Sequence, residues 1–210
     1  QQEYFIKTNM NNALSEFIKQ LEMDALAPER LLQLDPLIHF IQAKKDANEF
    51  IHLHFICTHN SRRSHLCQVW AQTMAAYFNV KDVTCYSGGT EATAVYSMII
   101  QTFVTTGFKV LVSDDTPNPL VTLHYSDVMP PMHLFSKTYD DAVNPSSHFA
   151  AVMTCDDADA NCPIIPNATR IAVTYKDPKA SDGTTEQAQV YAARSRQIAT
   201  EMKYVFAQLK

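Results

Sequence analysis

The sequence predicts a doubly wound α/β fold, a mostly parallel sheet with helices packed against it, and three observations carry that expectation. From residue 51 onward, short strand-like runs alternate with stretches of helical periodicity. The run Phe149 to Thr154 is continuously apolar or small, the pattern of a strand buried on both faces of a parallel sheet. The 210 residues make about 1.4 domains of ~150, room for one enlarged domain rather than two.

The elements follow in order. Leu14, Phe17, Ile18 and Leu21 recur at helical spacing, Pro28 opens Pro-Glu-Arg-Leu-Leu, and Asp35-Pro36 reads as a cap and first-turn proline ahead of Leu37, Phe40 and Ile41. Residues 1–50 are therefore expected to be a helical extension that covers apolar surface or makes a homodimer. Ile51, Leu53 and Phe55 alternate with His52 and His54, which predicts a strand, and Leu66, Val69, Trp70, Met74 and Tyr77 predict a helix behind it. Val83 to Ser87 reads as a strand, Gly88-Gly89 as a turn, Val95, Ile99 and Phe103 as a helix stopped by Gly107, and Lys109 to Val112 as the next strand. Residues 114–148 are rich in Asp, Pro, Asn and Ser around short apolar pieces at 120–125 and 132–135, the pattern of an inserted loop and hairpin. Arg170 to Tyr175 is the last predicted strand, and Tyr191, Ile198, Met202, Val205 and Leu209 mark a long terminal helix. The main domain is thus expected over 51–210.

Composition narrows the function. Seventeen Lys and Arg against 22 Asp and Glu give a net charge of −5, which provides no global field for nucleic acid, so any anion site must be local. No apolar run approaches the ~18 to 20 residues that span a bilayer. Five widely spaced cysteines, an odd number, suit a reducing compartment with working thiols, and a cytoplasmic location is expected.

Cys57-Thr58-His59-Asn60-Ser61-Arg62-Arg63-Ser64 ends a strand and opens a helix, where open α/β sheets bind ligands. Backbone N–H groups of such a loop, the helix amino terminus and a guanidinium fork together make an anion cradle, and the same field favours thiolate at Cys57. Counting this chain's residues, the pattern Cys-x2-Asn-x2-Arg-Ser is expected by chance about 0.0004 times.

That loop resembles the oxyanion loop of low-molecular-weight protein tyrosine phosphatases and of thioredoxin-coupled arsenate reductases on the same fold. The resemblance spans about residues 51–113 and 149–209. It implies that Cys57 is the nucleophile, that Arg63 and the loop from Thr58 to Ser64 hold the oxyanion, that Asn60 keeps the loop's shape and that Ser64 donates to the thiolate. His59 stands where the family usually has Gly, which His tolerates because it enters left-handed backbone readily. Arg62 replaces a second loop Cys and is expected to add positive charge beside the pocket. Ser87 matches the serine that supports the loop Asn, and Gln68 falls where some reductases carry a Glu associated with potassium.

Cys155 begins a loop at the same sheet edge, and Cys155-Asp-Asp-Ala-Asp-Ala-Asn-Cys162-Pro163 resembles the redox segment of the reductases, which the phosphatases lack. The resemblance implies a relay: Cys57 attacks arsenate, Cys155 attacks Cys57 to release arsenite, and Cys162 attacks Cys155, leaving a disulfide for thioredoxin or a similar dithiol carrier. Asp177-Pro178 follows the last strand on the ligand edge, where both families keep a general acid. Cys67, Cys85 and Trp70 read as core, and His52, His54 and His65 as packed or solvated. No cofactor and no metal site are expected, because no second Cys/His pair completes a tetrahedral set. The expected function is arsenate reduction, with phosphotyrosine hydrolysis through a cysteinyl phosphate, or a non-catalytic oxyanion-binding module, as alternatives.

Overall fold

The computed structural model describes residues 10–113 and 115–210. Of the expected segments, positions 1–9 of the helical extension and position 114 of the insertion lie outside the described residues. In chain order the elements are α1 (Asn12–Lys19), α2 (Pro28–Asp46), β1 (Ile51–Cys57), α3 (Arg63–Tyr77), β2 (Val83–Gly89), α4 (Ser97–Thr106), β3 (Lys109–Val112), β4 (Val121–His124), β5 (Met132–Leu134), β6 (Phe149–Met153), α5 (Asp156–Asn161), β7 (Ala168–Ala172) and α6 (Gln187–Ala207). Short 3-10 turns occupy Met23–Ala25 and Pro178–Ser181.

The central sheet runs β2-β1-β6-β7 and is parallel throughout. Its two faces are unequally covered. Ile51, Leu53, Phe55, Ala150, Val152 and Ile171 belong to the large core with Trp70, Tyr191 and Phe206. Ile56, Phe149, Ala151 and Met153 turn to the other face, where a smaller cluster is closed by Ala158 of α5 and by Tyr139 and Ile165. Alternation along β1 and β6 thus divides the chain between a thick layer and a thin one.

The N-terminal helices spend their apolar face inside this chain: Leu14, Ile18, Leu34, Leu37 and Ile41 are fully buried in the large core. Asp35-Pro36 starts no new helix, because Pro36 lies within a single α2 of 19 residues. An internal proline costs ~3 kcal/mol, and burial of Leu34, Leu37 and Ile41 at ~1.5 to 3 kcal/mol each outweighs it. Gly107 does end α4, in a left-handed conformation at φ 113° that suits glycine.

Two further readings change. β3 stands outside the parallel sheet and pairs antiparallel with β4, which pairs with β5, so Lys109–Val112 and the insertion together build a separate three-stranded sheet. Gly88-Gly89 is the end of β2 rather than a turn, with Gly88 opposite Ile56 and Gly89 opposite Cys57. On its outer side Gly89 N–H donates to Lys137 O at 2.9 Å, and Tyr139 N–H donates to Gly89 O at 2.9 Å. Beyond β7, the backbone bonds of Val173 to Met153 and of Tyr175 to Thr154 carry the last strand's pairing to the residues expected for it. Among the described residues no helix is long and apolar enough to cross a membrane.

Candidate active site

The loop between β1 and α3 leaves β1 at its carboxyl end, beside the ends of β2 and β6. Among the described residues, the backbone N–H groups of His59, Asn60, Ser61, Arg62 and Arg63 meet no protein acceptor. Asn60 has φ 43°, and a left-handed residue within a run of right-handed or extended ones produces the concave peptide that binds anions. His59 is not in left-handed backbone; Asn60 takes that conformation, so the His-for-Gly difference carries no backbone strain. Its imidazole points outward to Glu91 at 3.5 Å.

Six of the expected residues line one hollow: Cys57, His59, Ser61, Arg62, Arg63 and Asp177. Cys57 lies 3% exposed at its base, and its sulfur is 3.0 Å from Ser64 Oγ. Asn60 Nδ2 donates to that same hydroxyl at 2.9 Å, which leaves the hydroxyl hydrogen free to turn toward sulfur. Arg63 donates to the Tyr175 carbonyl at 3.0 Å and to Asp177 at 2.6 Å, while its buried Nε has no partner. The Asp177 carboxylate also accepts from Lys179 N–H at 3.0 Å, capping the turn that Pro178 opens.

Arg62 brings no free charge to the pocket. Its Nε donates to Tyr191 Oη at 2.7 Å, its other arm pairs with Asp182 at 2.6 Å, and its plane lies 4.1 Å over the Tyr96 ring. Its side chain fastens the loop to α4 and α6. Thr58 also turns away: its hydroxyl is given to Asp157 at 2.6 Å and sits 3.6 Å from Cys155 Sγ.

Three functional supports were invisible in the sequence. Lys137 N–H donates to Asn60 Oδ1 at 2.9 Å, and Ser136 Oγ donates to His59 O at 3.0 Å, so the insertion clamps the loop from outside. His65, fully buried, joins Asn60 O at 2.9 Å to Ser87 Oγ at 3.2 Å. Ser87 therefore supports the backbone of Asn60 through an imidazole, not its side chain directly.

Burial, with the nearby Lys137 charge, pushes the imidazoles of His54 and His65 down to about 3. An unfolded histidine titrates near ~6.5, so between about 3 and 6.5 the unfolded chain binds protons that the folded one refuses. Stability from these groups is complete above that window and is lost as pH falls through it, by about 2 kcal/mol per histidine at pH 5. Urea unfolding from pH 7.5 to 5 is expected to show this slope, reduced by nearly one proton in His54→Phe, whose ring replaces an imidazole with two unpartnered nitrogens. An unchanged slope in that variant would remove His54 from the account.

The cysteines separate into two groups. Cys57, Cys155 and Cys162 lie in the small cluster on the thin face, and Cys67 and Cys85 in the large core. Burial pushes the thiols of Cys67 and Cys85 well up, which fits inert packing. Cys155 caps α5, its sulfur accepting from Ala158 N–H at 3.3 Å, and Cys162 ends the same helix. Burial raises the Cys162 thiol, while Arg170 opposes that shift. Among the described residues no three His, Cys, Asp or Glu side chains gather as a metal site.

No family model matches the chain. Relatives do. Arsenate reductase 2 of Staphylococcus epidermidis RP62A is 29% identical over 120 residues, covering 56% of this chain and 70% of that protein. An arsenate reductase of Staphylococcus aureus Newman is 28% identical over 127 residues, covering 60% of this chain and 77% of its own length. The solved structure described as an arsenate reductase in the phosphate binding state aligns over all of its length and 77% of this chain, at 14% identity and a TM-score of 0.50, which is a likeness of fold. The chain is thus similar in sequence to arsenate reductases, and its α/β sheet is similar in fold to a solved arsenate reductase.

Proposed function

We propose that this protein reduces arsenate to arsenite through a relay of Cys57, Cys155 and Cys162. The observation that carries the reading is the gathering of these three cysteines, and neither of the other two, in one buried cluster beside the oxyanion loop. A phosphatase needs only the first of them, because water completes its reaction.

The chemistry follows from the groups present. Arsenate takes the free N–H groups of the loop and an arm of Arg63, which releases Asp177 from its ion pair with that guanidinium. The Cys57 thiolate attacks arsenic, and one oxygen leaves as water with a proton from Asp177. Cys155 then attacks the Cys57 sulfur. A Cys57–Cys155 disulfide forms, the sulfur–arsenic bonding pair stays on arsenic, and As(V) departs as As(III). Cys162 attacks Cys155, frees Cys57 and leaves a Cys155–Cys162 disulfide, which a dithiol carrier such as thioredoxin reduces. Orthophosphate, of the same charge and shape, binds the same loop.

The last exchange has a structural requirement. Cys155 and Cys162 flank the helix Asp156–Asn161, and seven residues at a helical rise of 1.5 Å separate their Cα atoms by about 10 Å. A disulfide needs roughly 4.4 to 6.8 Å. Helix α5 must therefore unwind when the relay completes, and a six-residue helix has little intrinsic stability to lose. Amide exchange at Ala158 to Cys162 is expected to accelerate on oxidation; protection unchanged in the oxidised protein would contradict this.

Reduced protein given arsenate and no external reductant tests the whole reading. One arsenite per chain is expected, with Cys155 joined to Cys162 in the parent and Cys57 joined to Cys155 in Cys162→Ser, mapped by peptide mass. No arsenite and no disulfide, with para-nitrophenyl phosphate still hydrolysed, would leave a phosphatase.

A further inference from the structure

The insertion that clamps the oxyanion loop also encloses a second cavity, of about 600 Å3, between β2 and the β4–β5 hairpin. Most of its wall is apolar: Tyr125, Met129, Pro131, Met132, Phe135 and Val143. Several polar side chains interrupt it, and three of them, Lys137, Gln68 and Asn144, have unused hydrogen-bonding capacity. Lys137 is 5% exposed, and its ammonium donates to the Phe135 carbonyl at 3.3 Å and lies 4.5 Å over the Phe135 ring. Among the described residues it has no carboxylate at ion-pair distance; Asp141 acts on it from further away. Gln68, 7% exposed, donates its amide to the Cys85 carbonyl at 3.2 Å, and its oxygen is buried without a partner. Asn144 Oδ1 is likewise buried and unpartnered.

A lysine is almost never this buried unless its charge is met, and a buried amide oxygen without a donor costs ~1 to 3 kcal/mol. An ammonium has three donors, and one carbonyl uses one of them. Apolar walls with a few convergent polar groups are the makeup of a small-molecule site. Burial pushes Lys137 down to about 8, so its charge is retained at neutral pH and in need of a counterion.

We propose that this cavity binds a small organic carboxylate, its anionic end on the Lys137 ammonium, its apolar body against Met129, Met132 and Phe135, and a hydroxyl or N–H group on the Gln68 oxygen. The site is separate from the Cys57 hollow, with which it shares no lining residue.

The test is calorimetric titration of the reduced chain with 3-(4-hydroxyphenyl)propionate, in orthophosphate that saturates the Cys57 loop. One-site binding is expected, weakened roughly tenfold or more when the acid is replaced by its primary amide or Lys137 by Met, since one charge-assisted hydrogen bond is lost. Val143, 55% exposed at the cavity wall, allows Val143→Trp to fill the space without disturbing the core. That variant is expected to lose the carboxylate and keep phosphate, and it carries the test should Lys137→Met fail to fold. Equal affinity for acid and amide, displacement by phosphate, unaltered binding in Val143→Trp, or no binding by about 10 mM would each overturn the proposal. Loss of arsenate turnover has no bearing on these readouts, so this site and the proposed function stand or fall separately.

Discussion

Replacing Cys57 with serine is expected to abolish both arsenate reduction and phosphate-ester hydrolysis, by on the order of 10^4-fold or more, while orthophosphate still binds. The sulfur is the reacting atom, and nothing else in the hollow is a nucleophile of comparable strength: Ser61 and the cationic arms of Arg63 supply hydrogen bonds only. Cys155→Ser is expected to divide the two chemistries, because it removes the attack that cuts sulfur from arsenic and leaves loop, Arg63 and Asp177 in place. Arsenite release should fall to background and para-nitrophenyl phosphate hydrolysis should stay within about threefold of the parent. Cys67→Ala and Cys85→Ala are expected to leave arsenite yield at one per chain, since both thiols are packed in the other core with their acidity suppressed by burial. Steady-state rates with a dithiol carrier, beside single-turnover arsenite counts, provide the check. Full reductase activity in Cys155→Ser would eliminate the relay, and phosphate binding without any turnover in the parent would leave an oxyanion-binding module.

The parts of this site that were legible in the sequence are those in which spacing and side-chain chemistry coincide. Strand, loop and helix from Ile51 to Tyr77 follow from periodicity, and Cys57, Asn60, Arg63 and Ser64 are read within eight consecutive residues. What stayed hidden acts through backbone or across long sequence separations. Lys137 holds Asn60 by its N–H, a group every residue but proline possesses, from 77 positions away. His65 looked like any histidine beside a motif until its two nitrogens were seen joining Asn60 to Ser87. Arg62 read as pocket charge because charge is what a sequence displays, and its partners Asp182 and Tyr191 are 120 and 129 residues downstream. β3 forms at the residues expected for it, and its pairing stays hidden for a related reason: four residues show that a strand exists and not which sheet receives it. Gly88-Gly89 reads as a turn in the sequence because glycine pairs commonly make turns, whereas here the requirement is for space.

That requirement makes Gly89→Ala the other substitution of large expected effect. A Cβ at Gly89 would lie 2.4 Å from Glu91 O and 2.7 Å from both Asn60 N and Thr58 O. All three are backbone atoms, two of them in the oxyanion loop, so no side chain can rotate aside. Relief requires the loop to move by several tenths of an ångström, and its free N–H groups move with it. A misplacement approaching 1 Å costs about 100-fold in turnover, and a drop of that order in kcat/KM for phosphate esters and for arsenate is expected. Gly183 is the contrasting case. Its added Cβ would meet nothing within 4 Å, yet its φ of 76° is left-handed, so Gly183→Ala should lower stability by about 1 to 2 kcal/mol and leave oxyanion affinity intact. Phosphate titration with urea unfolding of both variants separates the causes, space at one glycine and conformation at the other. If Gly89→Ala bound phosphate as the parent does, the close approach of β2 would not be what fixes the loop, and the clamp from Ser136 and Lys137 would have to suffice alone.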